Sequence, residues 1–180
     1  MAYIRQIERA DATGDLKVFY DALFEIVGDI PNIVKLSSLK VAAASAAQDL
    51  YQSVLYHDSG LSMEEKEMVA TVVSVINGCV YCHDHHGGVL TRLTDDPDLV
   101  DQIISNFRDA PISSRAMCLL EFAEKLTRTS GSMGSADIEA LRDLGLSDED
   151  ILDLVQLVSY FNYTNRVAVA LGVDPEISDT

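Results

Sequence analysis

The sequence predicts an all-α protein, and three observations carry that prediction. Apolar residues recur at spacings of three and four through most of the 180 residues, the period of helices that bury one face. The two most apolar stretches each open with a serine followed three residues later by an acid, Ser62–Glu65 and Ser147–Asp150, which is helix-start grammar. Short β-branched runs such as Val72-Val73 lie inside helical periodicity and lack the flanking turn pairs of a hairpin.

Taken in order, Leu16, Phe19, Tyr20, Leu23 and Phe24 form an apolar stripe from Asp15 to Val27, ended by Gly28. Gly28 to Asn32 reads as a loop, because Pro31 turns Ile30 away from helical angles. A second helical region, in one or two pieces, reaches about His57. Its middle, VAAASAAQ, suits close helix packing, and Asp58-Ser59-Gly60 ends it. Ser62 caps the next helix, almost wholly apolar from Met68 to Ile76 and so expected to be buried on most sides. Asn77-Gly78 breaks that helix, since glycine accepts the left-handed cap conformation. Helix resumes near Cys79 and continues to about Leu93. Asp96-Pro97 opens another, to about Phe107, with proline where its missing N–H costs nothing. Pro111 to Ser114 starts a further helix that ends near Ser130-Gly131. Ser135 to Leu144 is short and closed by Gly145. Ser147 begins a long apolar helix to Gly172, and the tail DPEISDT is expected to fray. No linker interrupts the chain, so residues 1–180 read as a single helical domain. Ser62, Ser74 and Asn77 match Ser147, Ser159 and Asn162 at an offset of 85. The echo fits an internal helical duplication, or two buried helices sharing the same capping grammar.

Composition narrows the partners. Acidic residues outnumber basic ones 29 to 13, a formal charge of −16, which repels phosphate backbones and anionic lipid; neither nucleic acid nor a membrane surface is an expected partner. No run of about 18 uncharged apolar residues marks a membrane span. The N-terminus lacks the apolar run of a signal peptide, so the expected location is cytoplasmic. There a C-x-x-C pair is catalytic or metal-binding rather than a structural disulfide.

The chemistry-bearing residues crowd into one stretch. Cys79, Cys82, His83, His85 and His86 fall within eight residues, taking two of the three cysteines and three of the four histidines. Thiol redox chemistry fits this spacing, because Cys79 and Cys82 can close a disulfide and a thiolate at a helix start is favoured by the dipole. If helix resumes at Cys79, His86 stands one turn from Cys82, within reach as its base. Glu67 joins Thr71 and Ser74 in a polar stripe on an apolar helix. It reaches the cysteines only if the next helix folds back; otherwise it is a solvated first-turn glutamate. Other readings share the segment. Cys79-Val80-Tyr81-Cys82-His83 fits the c-type haem attachment pattern, whose chemistry needs export. Zinc would take Cys79, Cys82 and His85 or His86, although structural zinc sites join two separated ligand pairs. A buried structural pair is a further alternative. Cys118, on an apolar helix face, reads as core.

The stretch GLSMEEKEMVATVVSVINGCVYCHDHH resembles the active-site segment of the AhpD-like alkylhydroperoxidase and carboxymuconolactone decarboxylase superfamily: a glutamate, C-x-x-C, and a histidine four after the second cysteine. Glu67, Cys79, Cys82 and His86 fill those positions. Pro31-Asn32, RAMCLLEFAEKLTR, LRDLGLSDEDILDLV and YFNYTNRVAVALGV extend the similarity, towards the branch labelled peroxidase-related. One departure stands out: alkylhydroperoxidase proper has a histidine inside the C-x-x-C where this chain has Tyr81.

The resemblance implies an AhpD-like helical fold, no metal, haem or other cofactor, and a homo-oligomer, often a trimer or hexamer. It implies a thiol-dependent peroxidase in which Cys82 attacks a peroxide and Cys79 resolves the product to a disulfide. His86 would act as base and Glu67 would orient it, and a thiol or dithiol reductant would restore the pair. Position at the helix start instead favours Cys79 as the lower-pKa thiol. Tyr81, Asn162 and Asn165 are candidates for the pocket wall, the two asparagines equally for helix packing. The alternatives are a decarboxylase-like lyase acting on a small carboxylated substrate, whose relatives lack the cysteine pair, and a non-catalytic metal- or partner-binding oligomer.

Overall fold

The computed structural model describes residues 2–176. Among them the regular elements are helical: α1 (Gly14–Val27), α2 (Asn32–Lys35), α3 (Val41–Tyr56), α4 (Met63–Ile76), α5 (Val80–Thr94), α6 (Pro97–Asn106), α7 (Ser114–Thr129), α8 (Ser135–Asp143) and α9 (Asp148–Leu171), with short 3-10 turns at Arg9, Phe107 and Ser130. The all-α prediction holds, and most boundaries fall within a residue or two of those expected. None of the helices among the described residues is long and apolar enough to cross a membrane.

Helix α4 is the axis. Every residue from Lys66 to Ser74 is buried, as an almost continuous apolar run requires. Around it lie α5, α6, α7 and α9, with α3 at one end. The main core joins Val69, Val72 and Val73 of α4 to Leu119, Leu120 and Ala123 of α7 and Leu154, Leu157, Val158 and Phe161 of α9. A second apolar cluster, Leu16, Tyr20 and Leu23 with Ile30, fastens α1 and its following loop. Tyr20 reaches that burial by donating its hydroxyl to the Ile7 carbonyl at 3.1 Å.

One buried cation has a structural task. Lys66 Nζ donates to the carbonyls of Leu55 at 3.2 Å and His57 at 2.6 Å, acceptors left open at the end of α3. Burial pulls its pKa below the ordinary lysine value.

The two predicted capping boxes both form, Ser62 with Glu65 and Ser147 with Asp150. They meet at a shared corner. Gly60 donates its N–H to Asp150 Oδ1 at 2.6 Å, while Arg115 links Glu65 (2.7 Å) to the Gly60 carbonyl (2.8 Å). A Cβ on Gly60 would sit 2.6 Å from both Asp150 carboxylate oxygens. From this corner α4 and α9 run parallel, and the residues that match at the offset of 85 touch: Asn77 Nδ2 donates to Asn162 Oδ1 at 3.2 Å.

Two expectations need correction. The small-residue stretch of α3 does not make a tight helix–helix seam. Ala44 alone is buried among its alanines, Ala42, Ala43 and Ala46 are exposed, and Ala44 and Ala47 line a cavity. The tail does not fray as far as it is described. Asn32 donates its N–H to Glu176 at 2.9 Å and its side-chain amide to the carbonyls of Asp174 (3.3 Å) and Pro175 (3.0 Å). The remaining tail residues, 177–180, lie outside the described residues.

Candidate active site

The cysteines are placed by the way α4 ends. Gly78 takes the left-handed conformation at φ 67°, its N–H donates to the Val75 carbonyl at 3.0 Å, and the Cys79 N–H donates to the Ser74 carbonyl at 2.9 Å. These paired bonds are a Schellman closure. It delivers Cys79 directly to the N-cap of α5, where its carbonyl accepts from the His83 N–H at 3.0 Å. A three-residue connection then returns α5 antiparallel along α4, the fold-back that Glu67 requires. Cys79 and Cys82 are both buried and pack against Ala168 of α9.

That fold-back brings Glu67 to His86. Glu67, 1% exposed, is no solvated glutamate: its Oε2 lies 2.7 Å from His86 Nδ1, and His86 is itself only 5% exposed. A carboxylate on Nδ1 fixes that nitrogen as the N–H donor and leaves Nε2 as the basic nitrogen. Phe161 holds the ring edge-on, centroids 4.6 Å apart and planes at 86°. His85 also meets it edge-on, with centroids 4.9 Å apart. Thr71, between Glu67 and Ser74 on the same stripe, is fully buried and its hydroxyl has no partner among the described residues.

The two thiols are electrostatically unequal. Cys79 is held below the ordinary thiol value, first by a hydrogen bond from Cys82, against the opposing effect of burial, with the Cys82 N–H and Asn165 assisting. Cys82 is pushed far up by its hydrogen bond to the Cys79 sulfur, by burial and by the repulsion of a neighbouring thiolate. Adjacent sulfurs resist ionising together, so the first ionisation of the reduced pair leaves one negative charge and one shared proton between them. The helix-start argument for Cys79 agrees with this charge distribution.

Access, however, belongs to Cys82. A cavity of about 640 Å³ opens beside α5; Tyr81, Cys82, His85 and His86 form its floor, and Cys79 is not among its lining residues. Its walls come from α1 (Leu23, Val27), α3 (Ala44, Ala47, Tyr51) and α9 (Tyr160, Phe161, Val167). Tyr51 and Tyr160 pack ring to ring at 5.7 Å, and burial raises the pKa of both, so each remains a neutral phenol. Tyr81 lines the cavity and hydrogen-bonds its hydroxyl to Glu176; burial and then this carboxylate raise its pKa.

Asn162 and Asn165 do not line the cavity. They turn towards α4, where Asn165 is fully buried and donates to Ser74 Oγ at 3.1 Å. Sequence reasoning missed Tyr51, Tyr160 and Phe161, because helical periodicity assigns such aromatic residues to a core without saying which of them face an empty space, and it offered His85 only as an alternative zinc ligand. His83 points elsewhere, 20% exposed and beside Asp84. Cys118 is half-buried at the edge of the main core. Among the described residues, no three His, Cys, Asp or Glu side chains gather as a metal site.

Comparison with known proteins agrees with this fold. The carboxymuconolactone decarboxylase family pattern matches residues 42–124. An uncharacterized peroxidase-related protein from Silicibacter sp. TM1040 is 36% identical, with a TM-score of 0.87 over 97% of this chain and 92% of that one. The alkylhydroperoxidase AhpD core of a peroxidase-related protein from Ralstonia eutropha JMP134 is 28% identical, with a TM-score of 0.88 over the same shares. The debrominase Bmp8 shares the fold at 19% identity and a TM-score of 0.78, covering 95% of this chain and 90% of its own. No curated protein matches at a significant level. With more than a third of its residues identical to a peroxidase-related protein along nearly its whole length, and with the family pattern across its central helices, the chain belongs to the AhpD-like and carboxymuconolactone decarboxylase superfamily, in its peroxidase-related branch.

Proposed function

We propose that the protein is a thiol-dependent peroxidase acting through Cys79 and Cys82. The observation that carries this reading is the buried Glu67–His86 pair at 2.7 Å beside a cysteine that opens into the cavity. In the reduced pair the proton shifts along the S–H···S contact, putting the charge on Cys82, the sulfur with access. The Cys82 thiolate attacks the nearer peroxide oxygen; an S–O bond forms, the O–O bond breaks, and alkoxide leaves. His86, holding the proton lost by the thiol pair, returns it through Nε2 to give the alcohol, and Glu67 stabilises the imidazolium meanwhile. Cys79 then displaces hydroxide from the Cys82 sulfenic acid, releasing water and closing the disulfide. A thiol or dithiol reductant from outside the chain reopens it.

The largely apolar walls suit the organic body of an alkyl or aryl hydroperoxide. Counting free thiols before and after one equivalent of cumene hydroperoxide tests the proposal. Two thiols lost per chain and one alcohol formed are expected, and turnover with all three thiols retained overturns it. The same reading includes a homo-oligomer, supported by the exposed apolar side chains of Val18 and Ile26 on the outer side of α1. Light scattering should give a multiple of 19.7 kDa; a monomer at micromolar concentration rejects the assembly alone.

A further inference from the structure

A chain of amides runs behind the cysteines and has no part in the cavity. Arg166 donates to Asn162 Oδ1 at 2.6 Å, and Asn162 Nδ2 is fastened to Thr127 Oγ1 and the Val158 carbonyl, both at 3.0 Å. Asn77 Nδ2 donates to Asn162 Oδ1 and to Asn165 Oδ1, the latter at 3.1 Å. Asn165 Nδ2 donates to Ser74 Oγ at 3.1 Å, and the Ser74 hydroxyl spends its proton on the Ala70 carbonyl at 2.7 Å.

Each bond fixes the direction of the next. Ser74 has given away its only proton, so its oxygen accepts and Asn165 must present nitrogen there. Asn77 holds the Asn165 oxygen from the opposite side, which forbids the flipped amide. Ser74 therefore takes one Asn165 N–H, and a second is left over. Ser74 also receives the Cys79 N–H on its carbonyl at 2.9 Å, and Ala168, one turn beyond Asn165, packs against both cysteines. The Asn165 amide, 0% exposed, thus lies on the Ser74 side of the cysteines, in a place no water reaches.

We propose that Asn165 is a further catalytic residue of this site: its second amide N–H stabilises the reacting thiolate directly, and the Asn162–Asn77–Ser74 network holds it in that orientation. A neutral donor suits the task, because it favours the charge on either sulfur without pinning it by a full countercharge, and so leaves the charge free to pass from Cys79 to Cys82. The lowering that Asn165 exerts on both thiols agrees with this placement. The titratable and charged groups facing the pair are Glu67 from α4; Tyr81, His85 and His86 from α5; Tyr160 and, through Asn162, Arg166 from α9; and Glu176 from the following segment.

The inference deepens the thiol chemistry proposed above, yet its test needs no peroxide. The ultraviolet absorbance of thiolate is titrated in the reduced protein, with the oxidised protein as baseline. Asn165→Leu should raise the lower pKa of the pair by about one unit, a roughly tenfold loss of thiolate below it. Asn165→Asp, which sets a like charge beside the sulfurs, should raise it further. A folded Asn165→Leu that titrates as wild type overturns the proposal. Should that variant fail to fold, Asn77→Ala decides. It touches neither sulfur, frees the Asn165 amide to turn, and should give a smaller shift in the same direction; no shift there also overturns it. Failure of wild-type protein to reduce peroxide would remove the peroxidase reading while leaving this titration to be judged separately.

Discussion

Replacing Glu67 by Gln isolates what the buried carboxylate does for His86. At the observed 2.7 Å and an effective dielectric constant of about 20, the attraction between carboxylate and imidazolium is about 6 kcal/mol. Glutamine keeps a carbonyl acceptor of the same reach, and neutral hydrogen bonds have about half the strength of charge-assisted ones. The variant should therefore lose about 3 kcal/mol of stabilisation once His86 has taken the thiol proton. At ~1.36 kcal/mol per tenfold, that is a slowing of about 10². A glutamine that turns its NH₂ group to Nδ1 would also force the wrong tautomer, so this figure is a lower bound. The assay mixes reduced protein with an organic hydroperoxide, quenches in acid at intervals and counts remaining thiols. The deficit should shrink as pH rises and the thiol pair ionises unaided. A Glu67→Gln rate within threefold of wild type at neutral pH would refute the assignment of His86 as the base that this carboxylate supports.

The other predictions concern the thiols, the remaining histidines and the core. Peptide mass spectrometry after mild peroxide should show two hydrogens lost from a Cys79–Cys82 peptide while Cys118 still accepts an alkylating label; a labelled Cys79 and Cys82 would exclude the disulfide. His86→Gln should slow thiol oxidation by ~10²–10⁴ and His83→Gln should leave it within a few-fold, whereas His85→Gln should fall between them because its ring lies against His86 and faces the cavity. Equal effects at all three positions would show that the register of α5 is irrelevant to the chemistry. The Tm of reduced relative to oxidised protein should climb towards pH ~8.5 and decline beyond it. Approaching that pH from below, the depressed Cys79 loses its proton in the folded state before unfolded thiols do; above it the elevated Cys82 keeps a proton that the unfolded chain has released. A difference flat with pH would contradict the unequal pair. Leu154→Ala, at a fully buried position of α9, should cost ~2–5 kcal/mol in chemical denaturation.

The helices were legible because their ends are written locally. Ser62 with Glu65, Asp96 with Pro97, and Ser147 with Asp150 each settle a boundary within four residues, and the structure forms all three caps. The spacing of Cys79, Cys82 and His86 likewise needed only one helical turn. Glu67 was harder: its distance from the cysteines along the chain says nothing about α5 folding back, which depends on the left-handed Gly78. Beyond Tyr81, Cys82 and His86, the cavity was not legible. Its walls come from α1, α3 and α9, and periodicity marks Tyr51 and Tyr160 as apolar-facing without telling a packed interior from a void. Asn162 and Asn165 stayed open between pocket wall and helix packing for a related reason, since a polar residue on an apolar helix signals a polar partner but not which side of the helix holds it.

The corner at Gly60 has a consequence for how this chain tolerates variation. Gly60 lies on the surface, remote from both sulfurs, and a survey guided by distance to the reacting atoms would rank it among the neutral positions. Any side chain there meets the Asp150 carboxylate that caps α9 and accepts the Gly60 N–H. Yielding would mean releasing the cap or shifting α9 along α4. A slide of one residue, about 1.5 Å, carries Asn165 out of line with Ser74 and Phe161 off the face of His86. A saturation library scored for peroxide resistance should therefore show a cold spot at Gly60 that burial and proximity both fail to anticipate.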